Sequence, residues 1–174
     1  MSTKVILSGI EFVVRYRIYL LVLVAATILV NCSDDDESSP MQAPAVVMNK
    51  ALTLIPGTVT ESEPENEEGI LAWKVDITTA QGAEVEVYCR QDDNTLLRLD
   101  GESGPFDYNI DPGNGLIDFN QAKTVADGET SENLDNWRLR IEDKYNNLWV
   151  YTLEFTSTTV FINAEDGSVL DVES

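Results

Sequence analysis

The 174-residue chain contains no histidine, only two cysteines and only 11 lysine or arginine residues. Without histidine, it can build neither histidine-based acid–base catalysis nor histidine-ligated metal sites. Two cysteines are too few for a zinc site with four cysteine ligands. The scarcity of basic residues argues against sequence-independent binding to nucleic acid, because phosphate contacts need clustered lysine and arginine.

Most of the charged residues are acidic. The 31 aspartate and glutamate residues give a formal net charge of −20, and hydrophobic residues make up 43% of the chain, enough for a packed core. Close pairs of carboxylates arise by chance in so acidic a chain, and none lies in a recognisable catalytic motif. The chain also lacks a nucleophile elbow, a phosphate loop and a dinucleotide fingerprint. We therefore expect a non-enzymatic protein with no catalytic residues and no cofactor.

The first 31 residues have the composition of an export signal. Lys4, Arg15 and Arg17 make the N-terminus basic, and residues 18–30 form an uncharged apolar run. A bilayer-spanning helix needs about 20 apolar residues, so this run is too short for a permanent anchor and has the length of a signal-peptide core. Residues 1–31 are therefore predicted to be a signal peptide.

The sequence Leu-Val-Asn-Cys at residues 29–32 resembles a bacterial lipobox, which implies that Cys32 is lipidated with fatty acids such as palmitate. Asn31 departs from the usual Gly, Ala or Ser. The acidic run at residues 33–37 resembles the surface-export signal of Gram-negative lipoproteins. We expect an outer-membrane lipoprotein exposed at the cell surface, with residues 32–44 as an acidic tether. The alternative is a transmembrane helix followed by a solvated acidic linker.

The remaining chain is predicted to contain two copies of one unit, at residues 45–110 and 111–174. Each copy begins with apolar residues at helical spacing and continues with strands whose apolar residues alternate. Asp118 is the predicted N-cap of the second helix, and Asn146-Asn147 a hairpin turn. The predicted helices are 45–55 and 117–126, and the predicted strands are 70–79, 84–90, 96–99, 137–142, 149–155, 159–163 and 169–172.

This order of motifs resembles the PepSY domain. The second copy carries the better match, in Phe161-Ile-Asn-Ala-Glu-Asp-Gly-Ser-Val-Leu170, although Asn163 replaces the usual Asp of the family and Asp166-Gly167 replaces a Thr-Gly turn. The resemblance implies an α+β fold of two tandem units, each with one helix packed on a three- or four-stranded antiparallel sheet. It also implies a role in regulating peptidases, without catalytic residues to carry over.

Two acidic segments are candidates for further sites. Asp107, Asn109, Asp111 and Asp118 match part of the spacing of an EF-hand calcium loop, but Pro112 replaces the glycine that the loop needs. The favoured alternative is a linker in which Asp118 caps the second helix. Residues 61–68 contain five glutamates and are predicted to form a solvated loop, or an acidic segment that occupies a basic or metal-bearing site on a partner.

These observations lead to one predicted function and one alternative. The first is a lipid-anchored envelope protein that binds another protein, with a peptidase as the partner that the resemblance implies, by steric or strand-edge docking. The alternative is a surface module that binds a small ligand or calcium. Cys89 is predicted to be a buried residue of a strand, since no histidine is present to activate its thiol.

Overall fold

The structure, a computed structural model, describes residues 41–174. The predicted signal peptide and the lipidation site Cys32 lie outside the described residues. In chain order the elements are α1 (Ala45–Leu54), β1 (Gly57–Glu67), β2 (Ile70–Thr79), β3 (Glu84–Arg90), β4 (Leu96–Ser103), α2 (Phe119–Ala126), β5 (Leu134–Glu142), a 3₁₀ turn (Asp143–Tyr145), β6 (Leu148–Phe155), β7 (Thr159–Asn163) and β8 (Val169–Glu173).

All eight strands form one antiparallel sheet in the order β1 to β8. The prediction of two separate helix-on-sheet units is therefore wrong, and the described chain is mostly β with two short helices. The two halves join where residues 98–101 of β4 pair with residues 137–140 of β5. Backbone donors and acceptors at a strand edge are the same for every sequence, so side-chain patterns do not show that two edges will pair. One helix followed by four strands does occur twice along the chain.

The hydrophobic core lies between the two helices and one face of the sheet. Helix α1 contributes Val47 and Ala51, and α2 contributes Phe119, Ala122 and Ala126. The strands contribute alternate residues, because successive side chains of a strand point to opposite faces. These residues are Trp73, Val75, Ile77, Val85, Val87, Cys89, Leu99, Trp137, Leu139, Tyr151, Leu153, Phe155, Val160 and Ile162.

Several local predictions are confirmed. Helix α1 spans the predicted residues to within one position, and Asp118 caps α2 by accepting a hydrogen bond from the backbone N–H of Gln121 in a capping box. Asn146 and Asn147 have φ angles of 59° and 61°, as a turn with positive φ requires. No helix among residues 41–174 is long and apolar enough to cross a membrane.

The segment between β4 and α2 is part of the core. Tyr108 and Ile110 are buried there, and the Nε1–H of Trp137 donates a hydrogen bond of 2.9 Å to the Tyr108 hydroxyl. The rings of Tyr108, Phe119 and Trp137 follow one another, with centroids 5.4 and 4.5 Å apart. This aromatic stack attaches the segment and α2 to the middle of the sheet.

Burial of Tyr108 predicts a loss of stability at alkaline pH. Burial raises the pKa of Tyr108 to about 12, although the hydrogen bond from Trp137 acts in the opposite direction. Tyrosine in an unfolded chain ionises near pH 10. Between these values the unfolded chain binds fewer protons, so the stabilisation is complete below pH 10 and is lost as the pH rises through 12.

Urea unfolding of Tyr108→Phe between pH 8 and pH 12 tests this expectation. The variant should be less stable at pH 8 by about 1–3 kcal/mol, because the Trp137 N–H loses its acceptor. Its stability should then fall less steeply above pH 10 than that of the unchanged chain. An identical alkaline slope in both proteins would contradict the assignment to Tyr108.

Candidate functional site

The face of the sheet opposite the helices is covered with charged side chains. We call this face the open face. Its residues alternate along the strands with those that enter the core. The charged residues of its central strands are Lys74, Asp76, Glu84, Glu86, Arg90, Arg98, Asp100, Glu102, Arg138, Arg140 and Glu142. Apolar side chains on one face of a sheet and charged side chains on the other are typical of a sheet with one face in solvent.

Four acidic residues lie directly opposite one another on adjacent strands of the open face. Glu61 of β1 pairs with Asp76 of β2, Asp76 with Glu86 of β3, and Glu86 with Asp100 of β4. We call this set the acidic row. Like charges that face each other across strands destabilise a sheet, so this arrangement opposes folding. Such local conflicts with stability are expected at functional sites.

A row of basic residues lies beside the acidic row. Lys74 of β2 is opposite Tyr88 of β3, Tyr88 is opposite Arg98 of β4, and Arg98 is opposite Arg140 of β5. The Lys74 Nζ atom lies 3.4 Å from Asp76 and 3.3 Å from Glu86. These pairs offset part of the repulsion within the acidic row.

Arg98 of the open face contacts two carboxylates and one aromatic ring. Its Nη1 lies 2.6 Å from Glu67 and its Nη2 lies 2.7 Å from Asp100. Its guanidinium lies over the ring of Tyr88, 4.0 Å from the centroid. Asp100 also accepts a hydrogen bond of 3.1 Å from the Nε of Arg138. The Asp100 side chain is only 4% exposed, so two arginines neutralise a buried carboxylate.

The tip of the β1–β2 hairpin leans over the open face. Glu67, at the end of β1, contacts Arg98 on β4, and Glu68 contacts Arg140 on β5 at 2.7 Å. In a flat sheet, β1 and β4 would lie about 14 Å apart, at about 4.8 Å per step. These contacts therefore require the sheet to bend towards its open face, which also explains why Tyr88 is only 5% exposed there.

Residues 61–68 are thus not the loop that was predicted. Most of the segment forms β1, an edge strand that pairs with β2 on one side. Pro64 fits this position, because one side of an edge strand needs no backbone donor. Glu63, Glu67 and Glu68 form ion pairs with Lys74, Arg98 and Arg140, so part of the segment is bound by the chain itself.

Burial changes the acidity of the inner members of the acidic row. Burial raises the pKa of Asp76, Lys74 opposes this change, and the neighbouring Glu86 adds to it. Burial also raises the pKa of Asp100, against the effect of Arg98 and Arg138. One oxygen of Asp76, Oδ1, is buried and has no hydrogen-bond partner. A buried carboxylate oxygen without a donor adds to the cost of folding the acidic row.

A depression of about 290 Å³ opens beside the acidic row. Its lining includes Asp76, Glu84, Glu86 and Glu102, together with Thr60 of β1. Glu61, Glu84 and Glu102 are exposed, and within residues 41–174 they form no ion pair. The exposed carboxylates around the depression thus carry negative charge that no ion pair within residues 41–174 neutralises.

Within residues 41–174, Glu86, Asp100 and Glu102 are spaced closely enough to hold a metal ion. One carboxylate oxygen from each lies within 4.8 Å of the others. Glu86 and Asp100 already have cationic or hydroxyl partners, however. Glu86 accepts hydrogen bonds from Lys74 and Tyr88, and Asp100 is held by the arginines. The group therefore offers a metal ion mainly the exposed Glu102.

The predicted calcium ligands surround the start of α2. Asn109 Oδ1 accepts from the backbone of Asn120, Asp111 Oδ1 accepts from Gly113, and Asp118 caps the helix. The Nδ2 of Asn109 also donates to Asp118 at 3.3 Å. Asp107 is exposed. These hydrogen bonds are those of the linker alternative, and calcium binding by this loop stays a prediction.

Cys89, in contrast, occupies the predicted environment. It lies in β3, is fully buried, and forms no disulfide. Burial raises the pKa of its thiol, so the thiolate that would react or bind metal is disfavoured.

The acidic row was missed by the sequence reasoning. Its members are far apart in the chain, and only strand register brings them together. One signal was available: Glu61, Glu63, Glu65 and Glu67 alternate strictly, which is the period of a strand with one charged face. The absence of apolar residues in this segment favoured a loop instead.

Comparison with known proteins identifies one part of the chain. Residues 43–89 match the family model described as peptidase propeptide and YPEB domain, PepSY. No curated protein matches the chain. A crystal structure described as a "putative lipoprotein" from Clostridium difficile has 14% sequence identity, covers 74% of this chain and 88% of its own, and has a TM-score of 0.35. The predicted second PepSY unit at 111–174 lies outside the family match and stays a prediction. The PepSY match begins two residues before α1 and ends at Cys89, so it includes α1, β1, β2 and most of β3.

Proposed function

We propose that the chain is a non-enzymatic, lipid-anchored protein of the cell envelope that binds another protein through the open face, with regulation of a peptidase as the specific activity. The match of residues 43–89 to a peptidase-propeptide family carries this proposal. Propeptide-like modules act by contact with a folded partner and need no catalytic groups of their own.

The location of the acidic row supports the open face as the binding surface. Glu61, Asp76 and Glu86 lie on β1, β2 and β3, within the PepSY segment. The helices and the core occupy the other face, so a partner that meets the sheet itself must meet this side. Binding there would be steric and electrostatic, because the face presents side chains rather than a deep cavity.

The free edge of β1 is poorly suited to pairing with a strand of a partner protein. Pro64 lacks a backbone donor, and glutamates line the strand on the open-face side. Proline and charge on an edge strand are features that discourage pairing with a further strand. We therefore place the main contact on the face and not on the edge.

The envelope location rests on the sequence near Cys32. A lipid on this cysteine would hold the folded part close to the membrane through residues 33–40. Intact-mass analysis of the N-terminus tests lipidation, and protease treatment of intact cells tests surface exposure. A chain that begins at Met1 without lipid would contradict the anchor but leave the protein-binding proposal standing.

Photocrosslinking in the native cells tests protein binding. Benzoylphenylalanine is placed at Thr60, beside the depression, or at the control position Thr124, which is exposed on α2. We expect one discrete adduct from Thr60 and none from Thr124. The adduct partner is then identified by mass spectrometry, purified and assayed for peptidase activity with and without this protein.

The outcomes separate the parts of the proposal. An adduct with a peptidase whose activity changes supports the full proposal. An adduct with a protein that is not a peptidase contradicts the regulatory role and supports binding alone. Absence of adducts from Thr60, or equal labelling from Thr124, contradicts binding through the open face.

A further inference from the structure

We infer that the partner meets the open face with a lysine- or arginine-rich extended segment, and that the acidic row with Glu84 and Glu102 receives it. This inference rests on the proposed function, since it specifies the chemistry of the protein that binds. The argument uses the charges that the fold leaves unneutralised, the shape of the surface and the spacing of the strands.

The unneutralised charges of this surface are negative. Lys74 and Arg98 are already within ion-pair distance of the inner acids of the row, whereas Glu61, Glu84 and Glu102 are exposed without ion pairs in the part of the chain that the structure describes. A neutral or acidic partner would bury these carboxylates without compensation, which is unfavourable. A basic partner would neutralise them and so gain both affinity and orientation.

The surface fits side chains better than a single ion. The depression beside the row measures about 290 Å³ and is lined by carboxylates on three strands. A calcium ion needs six to eight oxygen ligands at about 2.3–2.6 Å, and both carboxylate oxygens of Glu86 already accept hydrogen bonds, from Lys74 and Tyr88. Lysine and arginine carry several donors on long stems, so they can reach separate exposed carboxylates such as those of Glu84 and Glu102.

The spacing of the acidic row indicates an extended segment. From Glu61 to Asp100 the row crosses three strand steps, which is at most about 14 Å measured along the bent sheet at about 4.8 Å per step. In an extended peptide, side chains on one face recur about every 6.8 Å, so three alternate residues span about 14 Å. Basic residues at every second position of the partner would therefore match the length of the row.

A peptide-binding measurement tests this inference. The full chain in detergent micelles is titrated into a fluorescent nine-residue peptide of alternating lysine and threonine, and fluorescence anisotropy is recorded at low and physiological salt. A peptide of alternating glutamate and threonine serves as the negative probe. We expect binding of the lysine peptide only, with an affinity that falls as salt rises.

Two triple variants with the same change in net charge identify the contact. The test variant is Glu61→Gln, Glu84→Gln and Glu102→Gln, and the control is Asp107→Asn, Glu129→Gln and Glu165→Gln, at exposed positions away from the acidic row. We expect the test variant to bind the lysine peptide at least tenfold more weakly and the control less than threefold. Equal weakening in both variants would show attraction to bulk charge only and would overturn the inference.

The two triple variants also separate this inference from the proposed function. Each is combined with the crosslinker at Thr60 in native cells. Loss of the adduct in the test variant alone supports a basic partner at the acidic row. An undiminished adduct in the test variant would leave protein binding intact and overturn the inference about charge.

Discussion

Replacement of Arg98 by methionine is expected to lower the free energy of unfolding by about 3–5 kcal/mol, as is typical when one partner of a buried ion pair is removed. The guanidinium is the shared partner of Glu67 and Asp100, whose side chains are only 15% and 4% exposed. Methionine restores part of the contact with Tyr88 but none of the charge. Urea unfolding followed by circular dichroism measures the change.

The reason for so large an effect is the position of Asp100. The carboxylate would keep only Arg138, whose own side chain is 41% exposed and therefore neutralises the buried charge less well. The tip of the β1–β2 hairpin would lose the contact between Glu67 and β4. We expect residues 64–70 to exchange amide hydrogen faster in the variant, because the bend over the open face depends on this contact.

Arg90 provides a matched control for this prediction. It also lies on the open face, but its ion pair with Asp92 is 3.8 Å long and both side chains are substantially exposed. Arg90→Met should therefore change the free energy of unfolding by about 1 kcal/mol or less. A loss for Arg98→Met no larger than that for Arg90→Met would contradict the importance of the buried network.

Most elements that form the core could be predicted from the sequence. Alternating apolar residues predicted the bounds of β2 and β3 correctly, and apolar residues at helical spacing predicted α1. Side-chain period and turn chemistry are local properties, so a single sequence carries them. Asp118 was predicted as an N-cap for the same reason, and the structure confirms it.

The assembly of these elements into one sheet could not be predicted from the sequence. Pairing of β4 with β5 creates one sheet instead of two, and it depends on edge hydrogen bonds and on Trp137 packing over Gly101. The segment around Tyr108 was interpreted as a linker in preference to a calcium loop, yet it contributes to the core. Non-periodic segments bury individual side chains through tertiary contacts that no short window of sequence reveals.

The candidate site could be predicted only in part. The alternation of Glu61, Glu63, Glu65 and Glu67 indicates one charged strand face, and this signal was outweighed by the lack of apolar residues. The opposition of Asp76, Glu86 and Asp100 follows from register across hairpins, which turn lengths and bulges determine. A surface made of one or two residues from each strand can therefore be identified only from the folded structure.

Trp137→Ala is the second substitution with a large expected effect, about 3–5 kcal/mol in the free energy of unfolding. The indole is only 1% exposed, packs against Phe119 and donates its N–H to Tyr108. Its removal leaves a cavity between β5, α2 and the Tyr108 segment, and leaves the Tyr108 hydroxyl without its donor. Trp137→Phe, which keeps most of the ring volume but not the donor, should lose a smaller amount, set mainly by the hydrogen bond.

A double-mutant cycle with Gly101 shows whether Trp137 acts through the junction of the two halves. A side-chain carbon at Gly101 would collide with the indole ring of Trp137, so Gly101→Ala must displace the indole and destabilise the protein by about 1–3 kcal/mol. In the Trp137→Ala background the same alanine enters vacated space, and its effect should be close to zero. Additive losses would mean that the two residues do not interact. Because Gly101 lies on β4 and Trp137 on β5, a strong coupling would establish that the indole lies against the β4 backbone where the two halves of the sheet join.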